Sequence, residues 1–499
     1  MSSMPETGDA EPQQASSGGF VKALTLTDAT MLVAGSMIGS GIFIVSADIS
    51  RTVGSPLWLM LAWITAGVIT ILGALAYGEL AAMYPRAGGQ YVFLRESMGP
   101  LMGFLYGWTL FIVIQTGTIA AVAVAFGRFL GVLWPAITPD RFGWFPQFDV
   151  NTPGGLIEIG LTPQRLVALI TVWVLTWINL RGVREGKIVQ TTLTIVKTGA
   201  VAALIILGLT LGRNAEAIAA NFSNGNFVGT VDISQAFMIA FGASLVGSLF
   251  SSDAWNNVTF AAAEVKDAKR NLPLALVMGT GLVTLLYLLA NVAYLSVLPL
   301  QGSADAATVI GRGIQFATQD RVGSAAAEMI FGAIGGTLMA SAILISTFGC
   351  NNGLILAGSR VYYAMAKDRL FFERAGRLNR NHVPAYALIV QAIWTSLLCL
   401  TGTYGQLLDY VIFAALIFYA LTTVGLFILR SKLPNAERPY KAIGYPVLPA
   451  LYIVLATTIA VVLLIADKTR AQALSGLVLV ALGVPVYYVW RAAGSSARA

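Results

Sequence analysis

The sequence predicts an all-α membrane protein that crosses the bilayer with twelve transmembrane helices. Of its 499 residues, 57% are hydrophobic and only 11% are charged, whereas an average soluble domain has about 25% charged residues. The mean hydropathy is +0.74. Apolar runs of roughly 20 residues, long enough to cross a hydrocarbon core, recur along the whole chain, which leaves no room for a separate catalytic domain.

The apolar runs place the spans in chain order. They lie near residues 27–50, 57–83, 101–133, 163–181, 188–212, 232–263, 274–299, 324–366, 384–402, 406–430, 444–466 and 473–491. The segment 1–26 before them lacks the basic start and the short apolar core of a signal peptide. Because it begins as a polar stretch rich in Ser, Gly and Gln, we expect a disordered cytoplasmic tail.

Positive charge is distributed unevenly between the two sets of loops. With the N-terminus inside, about two thirds of the 31 lysine and arginine residues fall on the cytoplasmic side, as the positive-inside rule expects. We therefore predict a multi-pass protein of the cell inner (plasma) membrane with both termini in the cytoplasm. This topology accounts for the net charge of +7, so the charge does not indicate nucleic-acid binding.

Reactive side chains are scarce. The single histidine, His382, is in a loop, and both cysteines, Cys350 and Cys399, fall within apolar segments. We therefore expect no cofactor, no metal site and no disulfide framework. A membrane enzyme would need clustered carboxylates, histidines or a serine with its base, which Asp253 and Lys197 alone do not supply.

Two of the predicted spans contain stretches that are poor membrane helices. Gly35, Gly39 and Gly41 fall within seven residues of the first span, and residues 251–257 (SSDAWNN) put five polar side chains in the sixth. Non-helical backbone persists in a membrane only where it lines a cavity, and interrupted helices at matching positions of two halves indicate the binding site of a transporter. Close helix packing is the alternative explanation for the glycines.

Interrupted helices would provide both kinds of main-chain group. An unwound turn frees N–H groups at the start of the next half-helix, where the helix dipole favours an anion. It also frees carbonyl groups at the end of the preceding half-helix, which attract an ammonium. The pair matches the carboxylate and amine of an amino acid. A channel, the competing class, would need rings of pore residues, and the paired interruptions argue against it.

Several motifs follow one another in the order of a known family. They are residues 35–43 (GSMIGSGIF), 77–91 (YGELAAMYPRAGGQY), 179–182 (NLRG), 253–256 (DAWN) leading to Glu264, 270–273 (RNLP), 346–353 (STFGCNNG) with Arg360, and 438–441 (RPYK). In this ordered set the chain resembles the amino acid–polyamine–organocation (APC) superfamily, and within it the L-type amino acid transporter (LAT) group and its bacterial relatives.

The resemblance implies a LeuT-like fold with two inverted five-helix repeats, here 27–212 and 232–430, followed by helices 11 and 12 at 444–491. It also implies a secondary transporter that works by alternating access. We expect sodium-independent exchange or proton-coupled uptake of neutral amino acids. A cationic amino acid or polyamine exchanger is the alternative, and a sodium-coupled carrier is a rival within the same class.

Carried over position by position, the resemblance assigns a substrate site to the interrupted helices. Ser40 and Gly41 would offer N–H groups to the substrate carboxylate. The carbonyl groups of Met37, Ile38 and Phe250 would receive the amine. Phe250 would also act as a gate.

The side-chain pocket would be bordered by Ser252, Asp253 and Asn256. Asp253 would either complement a cationic substrate side chain or accept hydrogen bonds from Ser252 and its neighbours. Ala254 stands where the family more often has glycine.

Two charged residues would act in coupling and gating. Lys197 lies about 14 Å into the fifth span. The resemblance matches it to a lysine that bridges the unwound part of span 1 in place of a sodium ion, and the alternative is a buried lysine satisfied by backbone carbonyls. Glu79, at the cytoplasmic end of span 2, is predicted to form an ion pair near the inner gate with a partner such as Arg181, Arg360 or Arg369.

Few partners are expected beyond the amino acid substrate and the lipid bilayer. Animal LAT-type subunits use a cysteine in the loop after span 3 to bond a glycoprotein. The corresponding loop here, 134–162, has no cysteine. We therefore predict a stand-alone monomer or homodimer without a disulfide-linked glycoprotein subunit.

Overall fold

The computed structural model describes residues 19–152, 155–223, 225–229, 232–401 and 404–496, which are mostly helical. The first ten helices are α1 Leu26–Met37, α2 Val45–Val53, α3 Pro56–Met83, α4 Gln90–Met98, α5 Pro100–Thr109, α6 Gln115–Leu133, α7 Pro163–Leu180, α8 Val183–Leu209, α9 Ala215–Phe222 and α10 Gln235–Ser251. The others are α11 Asn257–Phe260, α12 Ala268–Val297, α13 Val309–Arg312, α14 Val322–Phe331, α15 Ala333–Lys367, α16 Ala385–Thr401, α17 Tyr404–Lys432, α18 Val447–Ile465 and α19 Arg470–Ser496.

One β-hairpin departs from the all-α prediction. Strands β1 Phe148–Thr152 and β2 Gly155–Ile159 pair antiparallel, with Phe148 opposite Ile159. The hairpin lies in the loop between α6 and α7, where Val and Ile residues are available for strand pairing. Apart from this element, the helical class is confirmed.

Within the described residues, nine helices are long and apolar enough to cross a membrane, judged by length and composition. They are Pro56–Met83, Pro100–Leu133, Pro163–Leu180, Gly186–Leu209, Ala268–Val297, Ala333–Lys367, Leu407–Lys432, Val447–Ile465 and Arg470–Ala492. The first predicted span is divided between α1 and α2, while the sixth and ninth correspond to α10 and α16, each 17 residues long. The number of crossings therefore stays a prediction.

Local sequence explains how several helices begin. At the start of α1 the Thr25 side chain accepts a hydrogen bond from the Asp28 N–H, and the Asp28 carboxylate accepts one from the Thr25 N–H. This reciprocal arrangement satisfies two donors that a helix start leaves unpaired. Pro56, Pro100 and Pro163 occupy the first turns of α3, α5 and α7, where a missing N–H costs nothing.

Most of the predicted tail, 1–26, lies outside the described residues, which begin at 19. The described part of it contacts the rest of the chain. The Leu24 N–H donates to the Glu264 carbonyl oxygen at 2.9 Å, and the Lys266 N–H donates to the Leu24 carbonyl oxygen at 2.8 Å. The segment before α1 is thus joined to the segment that follows α11.

Glycines let α12 approach its neighbours closely. A Cβ placed on Gly279 would lie 2.5 Å from Cγ1 of Val33 in α1, and one on Gly67 of α3 would lie 2.4 Å from Cγ2 of Thr284 in α12. Interfaces between membrane helices rely on such small residues because lipid provides no hydrophobic force between helices. Gly281, two residues after Gly279, faces open space instead.

We predict that Gly279→Val destabilises the protein while Gly281→Val does not. The valine at 279 would overlap Val33 and force α12 away from α1, at a cost of about 1–3 kcal/mol. The measurement is thermal unfolding of the purified protein in detergent. Equal transition temperatures for the two variants would contradict the close contact between α1 and α12.

Candidate functional site

The first predicted span is interrupted within the protein. α1 ends at Met37, and Ile38 is extended with φ −74° and ψ 90°. A single 3₁₀ turn, Gly41–Phe43, precedes the start of α2 at Val45. Residues 32–47 are all buried. The helix therefore breaks where the glycines predicted, and its free main-chain groups face other helices.

The sixth predicted span is interrupted as well. α10 ends at Ser251 and α11 begins only at Asn257. Between them Ala254 has φ +63°, in the left-handed region that costs a residue with a Cβ about 1–2 kcal/mol. The turn thus has a backbone suited to glycine at a position occupied by alanine.

The two interruptions pack against each other. A Cβ on Gly41 would lie 2.1 Å from Oγ and 3.1 Å from Cα of Ser251, so this approach requires glycine. The Tyr287 hydroxyl of α12 lies between them, 3.0 Å from the Met37 carbonyl oxygen and 3.1 Å from the Ser251 carbonyl oxygen. Because both carbonyls are acceptors for the same hydroxyl, Tyr287 links the two breaks.

Tyr287 belongs to a polar stripe that the sequence analysis missed. The Asn291 Oδ1 accepts a hydrogen bond from the Ser46 hydroxyl at 2.7 Å, and the Tyr294 hydroxyl donates to the Ile42 carbonyl oxygen at 3.3 Å. Positions 287, 291 and 294 follow helical spacing, so they share one face of α12. Polar groups at that spacing in an apolar span are the signal that would have identified them.

Lys197 of α8 reaches the end of α1. Its Nζ donates to the carbonyl oxygens of Gly35 at 2.5 Å, Ile38 at 2.7 Å and Ser346 at 3.4 Å, and the residue is only 1% exposed. An ammonium has three N–H donors, so these three carbonyls satisfy it. The contact with the unwound part of span 1 was predicted from the sequence, and it is also the carbonyl-satisfied lysine of the alternative explanation.

The carbonyls expected to receive a substrate amine are already hydrogen-bonded. Ile38 accepts from both Lys197 and the Ser346 hydroxyl, the latter at 3.1 Å, which uses both lone pairs of its oxygen. Met37 accepts from Tyr287, and Phe250 accepts from the main-chain N–H two residues before Trp255 at 3.1 Å. An incoming ammonium would therefore find acceptor capacity at Met37 and Phe250 before Ile38.

Two of the predicted pocket residues line a small internal cavity. Ser252 and Asp253 border it with Thr70, Trp255 and Tyr419, and its volume is ≈ 20 Å³, measured as space for the centre of a water-sized sphere. That is room for about one water molecule. The Tyr419 hydroxyl donates to Asp253 Oδ1 at 2.5 Å. The pocket is thus closed in this conformation, with its carboxylate held by a tyrosine.

Asn256 lies behind this cavity rather than at its surface. Its Nδ2 donates to Gln90 Oε1 at 2.8 Å, and the Gln90 amide in turn donates to Thr422 Oγ1 at 3.0 Å. This chain of amides joins the turn after α10 to α4 and α17. Asn256 therefore orients the turn, and Gln90 is a supporting residue that the sequence analysis did not name.

Glu79 forms the predicted ion pair, but with other partners. Its carboxylate accepts from Arg430 at 2.9 and 2.5 Å, from Arg438 at 3.2 Å and from the Ala442 N–H at 2.7 Å, and the residue is fully buried. The end of α17 and the loop after it bring these groups to α3.

The arginines proposed for Glu79 are engaged elsewhere, so that part of the prediction is wrong. Arg360 pairs with the buried carboxylate of Glu264 at 3.0 Å. Arg181 stacks on the ring of Trp177 at 3.6 Å. Sequence distance from Glu79 gave no information about which arginine would reach it.

No group of three or more histidine, cysteine, aspartate or glutamate side chains that would suit a metal ion occurs among the described residues. The interrupted helices instead provide main-chain donors and acceptors around a lysine, a tyrosine and an aspartate. This arrangement suits recognition of a small molecule with opposite charges.

Comparisons with known proteins agree with this arrangement. The sequence model of the family described as "Amino acid permease" matches residues 24–487. The chain is 31% identical over 473 residues to the Serine/threonine exchanger SteT of Bacillus subtilis (strain 168), covering 94% of this chain and 97% of that protein.

Two human proteins are similar over nearly the same range. The Large neutral amino acids transporter small subunit 2 is 30% identical over 488 residues, covering 96% of this chain and 83% of that protein. The b(0,+)-type amino acid transporter 1 is 29% identical over 461 residues, covering 91% of this chain and 84% of that protein.

We predict that Ala254→Gly leaves the protein at least as stable as the wild type, because it relieves about 1 kcal/mol of left-handed strain. The matched control is Ala261→Gly, a buried alanine with φ −92°. There the added backbone freedom is expected to lower stability by about 0.5–1 kcal/mol. Thermal unfolding in detergent compares the two, and equal losses of stability would overturn the strain at 254.

We also predict that Glu79→Gln strongly destabilises the protein, by about 3–5 kcal/mol, because it leaves buried arginine charge uncompensated. Glu373→Gln serves as the control, since Glu373 is 85% exposed in its pair with Arg377. That change is expected to cost under about 1 kcal/mol. Urea or thermal unfolding would detect the difference, and a Glu79→Gln protein as stable as the control would argue against a structural role.

Proposed function

The chain belongs to the amino acid permease family, and we propose that it exchanges neutral amino acids across the inner membrane without sodium. Transport by alternating access would use the two interrupted helices as the substrate site. Family membership makes the chain a multi-pass membrane amino acid transporter and not an enzyme. The direction of coupling, the substrate range and the topology are parts of the proposal.

The contact of Lys197 with α1 carries the proposal. Its ammonium takes the Gly35 and Ile38 carbonyl oxygens at the end of a half-helix, where unwound carbonyls coordinate a sodium ion in transporters of this architecture. A positive charge supplied by the protein removes the need for that ion. Since Lys197 also donates to Ser346 of α15, it joins the two elements that would separate when the site opens.

The proposed architecture is twelve helices arranged as inverted repeats at 27–212 and 232–430, with helices 11 and 12 at 444–491. Support comes from the breaks after Met37 and after Ser251, which occupy equivalent places in the two halves. The distribution of lysine and arginine supports cytoplasmic termini.

Main-chain recognition supports an amino acid as the cargo. We propose that the Ser40 and Gly41 N–H groups at the start of the 3₁₀ turn bind the carboxylate. The Met37 and Phe250 carbonyls would then bind the amine, with Phe250 closing over it as a gate. Glu79 would hold the cytoplasmic end of α3 during the cycle.

The pocket beside Asp253 favours small neutral side chains. Its space is ≈ 20 Å³, and the carboxylate already accepts the Tyr419 hydroxyl. The serine and threonine named for the Bacillus relative fit a pocket that includes Ser252 and Thr70. A cationic substrate is the second candidate, because a buried carboxylate at the pocket would complement a positive side chain once Tyr419 moves away.

The chain is proposed to work alone, as a monomer or homodimer. The human relative is named as a small subunit, but the loop 134–162 of this chain contains no cysteine for a disulfide to a second subunit. A channel is disfavoured by the closed pocket between the breaks.

The test is uptake of radiolabelled amino acids into sodium-free liposomes that contain the purified protein. We expect accumulation in vesicles preloaded with unlabelled amino acid and little in empty ones, with unlabelled serine competing better than lysine. Accumulation in empty vesicles driven by a pH gradient would indicate proton coupling instead. No uptake of any proteinogenic amino acid or polyamine by folded protein would overturn the substrate class.

Two variants test the site in the same vesicles. Lys197→Ala leaves buried carbonyls without a donor, a penalty of about 1–3 kcal/mol each, and we expect at least a tenfold loss of exchange. Ser40→Pro removes one N–H proposed for the carboxylate and should act similarly. Lys266→Ala, at an exposed lysine on the segment after α11, is the control, and equal exchange by all three would exclude the assigned roles.

A further inference from the structure

A second cavity lies apart from the closed pocket. Its volume is ≈ 300 Å³, near the lower end of the roughly 300–1,000 Å³ typical of small-molecule sites. The charged side chains that line it come from five different segments: Asp48, Arg51, Arg128, Asp320, Asp409 and Lys468. We call this cavity the charged vestibule.

The charged vestibule adjoins the closed pocket without sharing a lining residue. On α17 the vestibule is lined by Asp409 and the pocket by Ile412; on α10 the corresponding residues are Gly247 and Leu249. Three residues of helix span about 4.5 Å. A small molecule in the vestibule would therefore be within about one helical turn of the pocket.

Four of the six charged groups are paired with each other. Arg51 contacts Asp320 at 2.7 Å, and Lys468 contacts Asp48 at 2.8 Å. Arg51 also donates to the Gln315 carbonyl oxygen at 2.6 Å. These pairs connect α2 to the segment before α14 and to the segment before α19, and they form the rim of the vestibule.

The other two charges have no partner. Within the described part of the chain, neither Arg128 nor Asp409 makes a hydrogen bond or an ion pair, and both are half-buried. The charged group that acts on Arg128 is the like-charged Arg321. Those that act on Asp409 are Lys468 and Asp48, which bond each other. Both sites thus retain unbalanced charge of opposite sign in one cavity.

We propose that the charged vestibule is a second binding site, for the zwitterionic backbone of an amino acid. Arg128 binds the carboxylate and Asp409 binds the ammonium. Partly desolvated charges are costly without a counter-charge, and a zwitterion neutralises both at once. This site rests on the proposed function, and it adds a first stop for substrate on the side that the predicted topology places outside the cell.

Such a site would read the backbone shared by all amino acids. The side chain would project toward the rim, so the vestibule would raise the local concentration of substrate without selecting among side chains. Selectivity would stay with the pocket near Ser252 and Asp253. Loss of either charge should therefore weaken uptake of every substrate by a similar factor.

The experiment compares KM on the two sides of the membrane for Arg128→Gln and Asp409→Asn. Uptake into intact cells presents substrate to the vestibule, and uptake into inside-out vesicles presents it to the opposite end. We expect KM in cells to rise about tenfold, as for loss of one charge-assisted hydrogen bond. KM in inside-out vesicles and the maximal rate should change less than about twofold.

The controls are Arg213→Gln and Asp305→Asn, which make the same charge changes at exposed residues outside the vestibule. Their KM should equal that of the wild type. A KM in cells that does not change, or that changes equally on both sides, would overturn the vestibular site. A fall in maximal rate without a change of KM would assign Arg128 and Asp409 to gate structure instead. Wild-type protein that takes up no amino acid would refute the proposed function itself.

Discussion

The hydrogen bonding of the backbone at the end of α1 is the constraint on which the rest of the site depends. A helix that stops inside a membrane protein leaves carbonyl groups that lipid cannot satisfy. Here Lys197, Ser346, Tyr287 and Cys350 supply donors to the last turn, the Cys350 thiol lying 3.0 Å from the Ser36 carbonyl oxygen. Three other helices, α8, α12 and α15, must therefore be in place for the break in span 1 to be tolerated.

The second break depends on the first. Ser251 can sit against Gly41 only because that residue has no side chain, and Tyr287 contacts carbonyls on both sides of the contact. The hydrogen bonds of Leu24 with the segment after α11 connect the same two spans at their cytoplasmic ends. The half-helices α1 and α11 are thus joined at both ends, which favours their moving together rather than one at a time.

How far the sequence could lead differed from residue to residue. The breaks and Lys197 were predictable because glycines and charges in an apolar span have few physical explanations, each with a local signature. The partners of Glu79 were not, since Arg430 and Arg438 are more than 350 positions along the chain and only the path of α17 selects them over Arg360. Tyr287 and Gln90 were missed because a tyrosine in a span or a glutamine beside a loop is ordinary until its neighbours are known. The hairpin at 148–159 escaped because a short strand pair has a weak signal beside long helices.

The use of main-chain groups at the breaks also bears on how such proteins diverge. Substitution changes side chains but leaves each peptide N–H and C=O in place, as long as glycines such as Gly41 are kept. A site built this way tolerates wide drift in the surrounding sequence, which fits about 30% identity to relatives from a bacterium and from humans. Drift in the residues that line the pocket would then alter which member of a chemical class is accepted, while the class itself is inherited with the backbone.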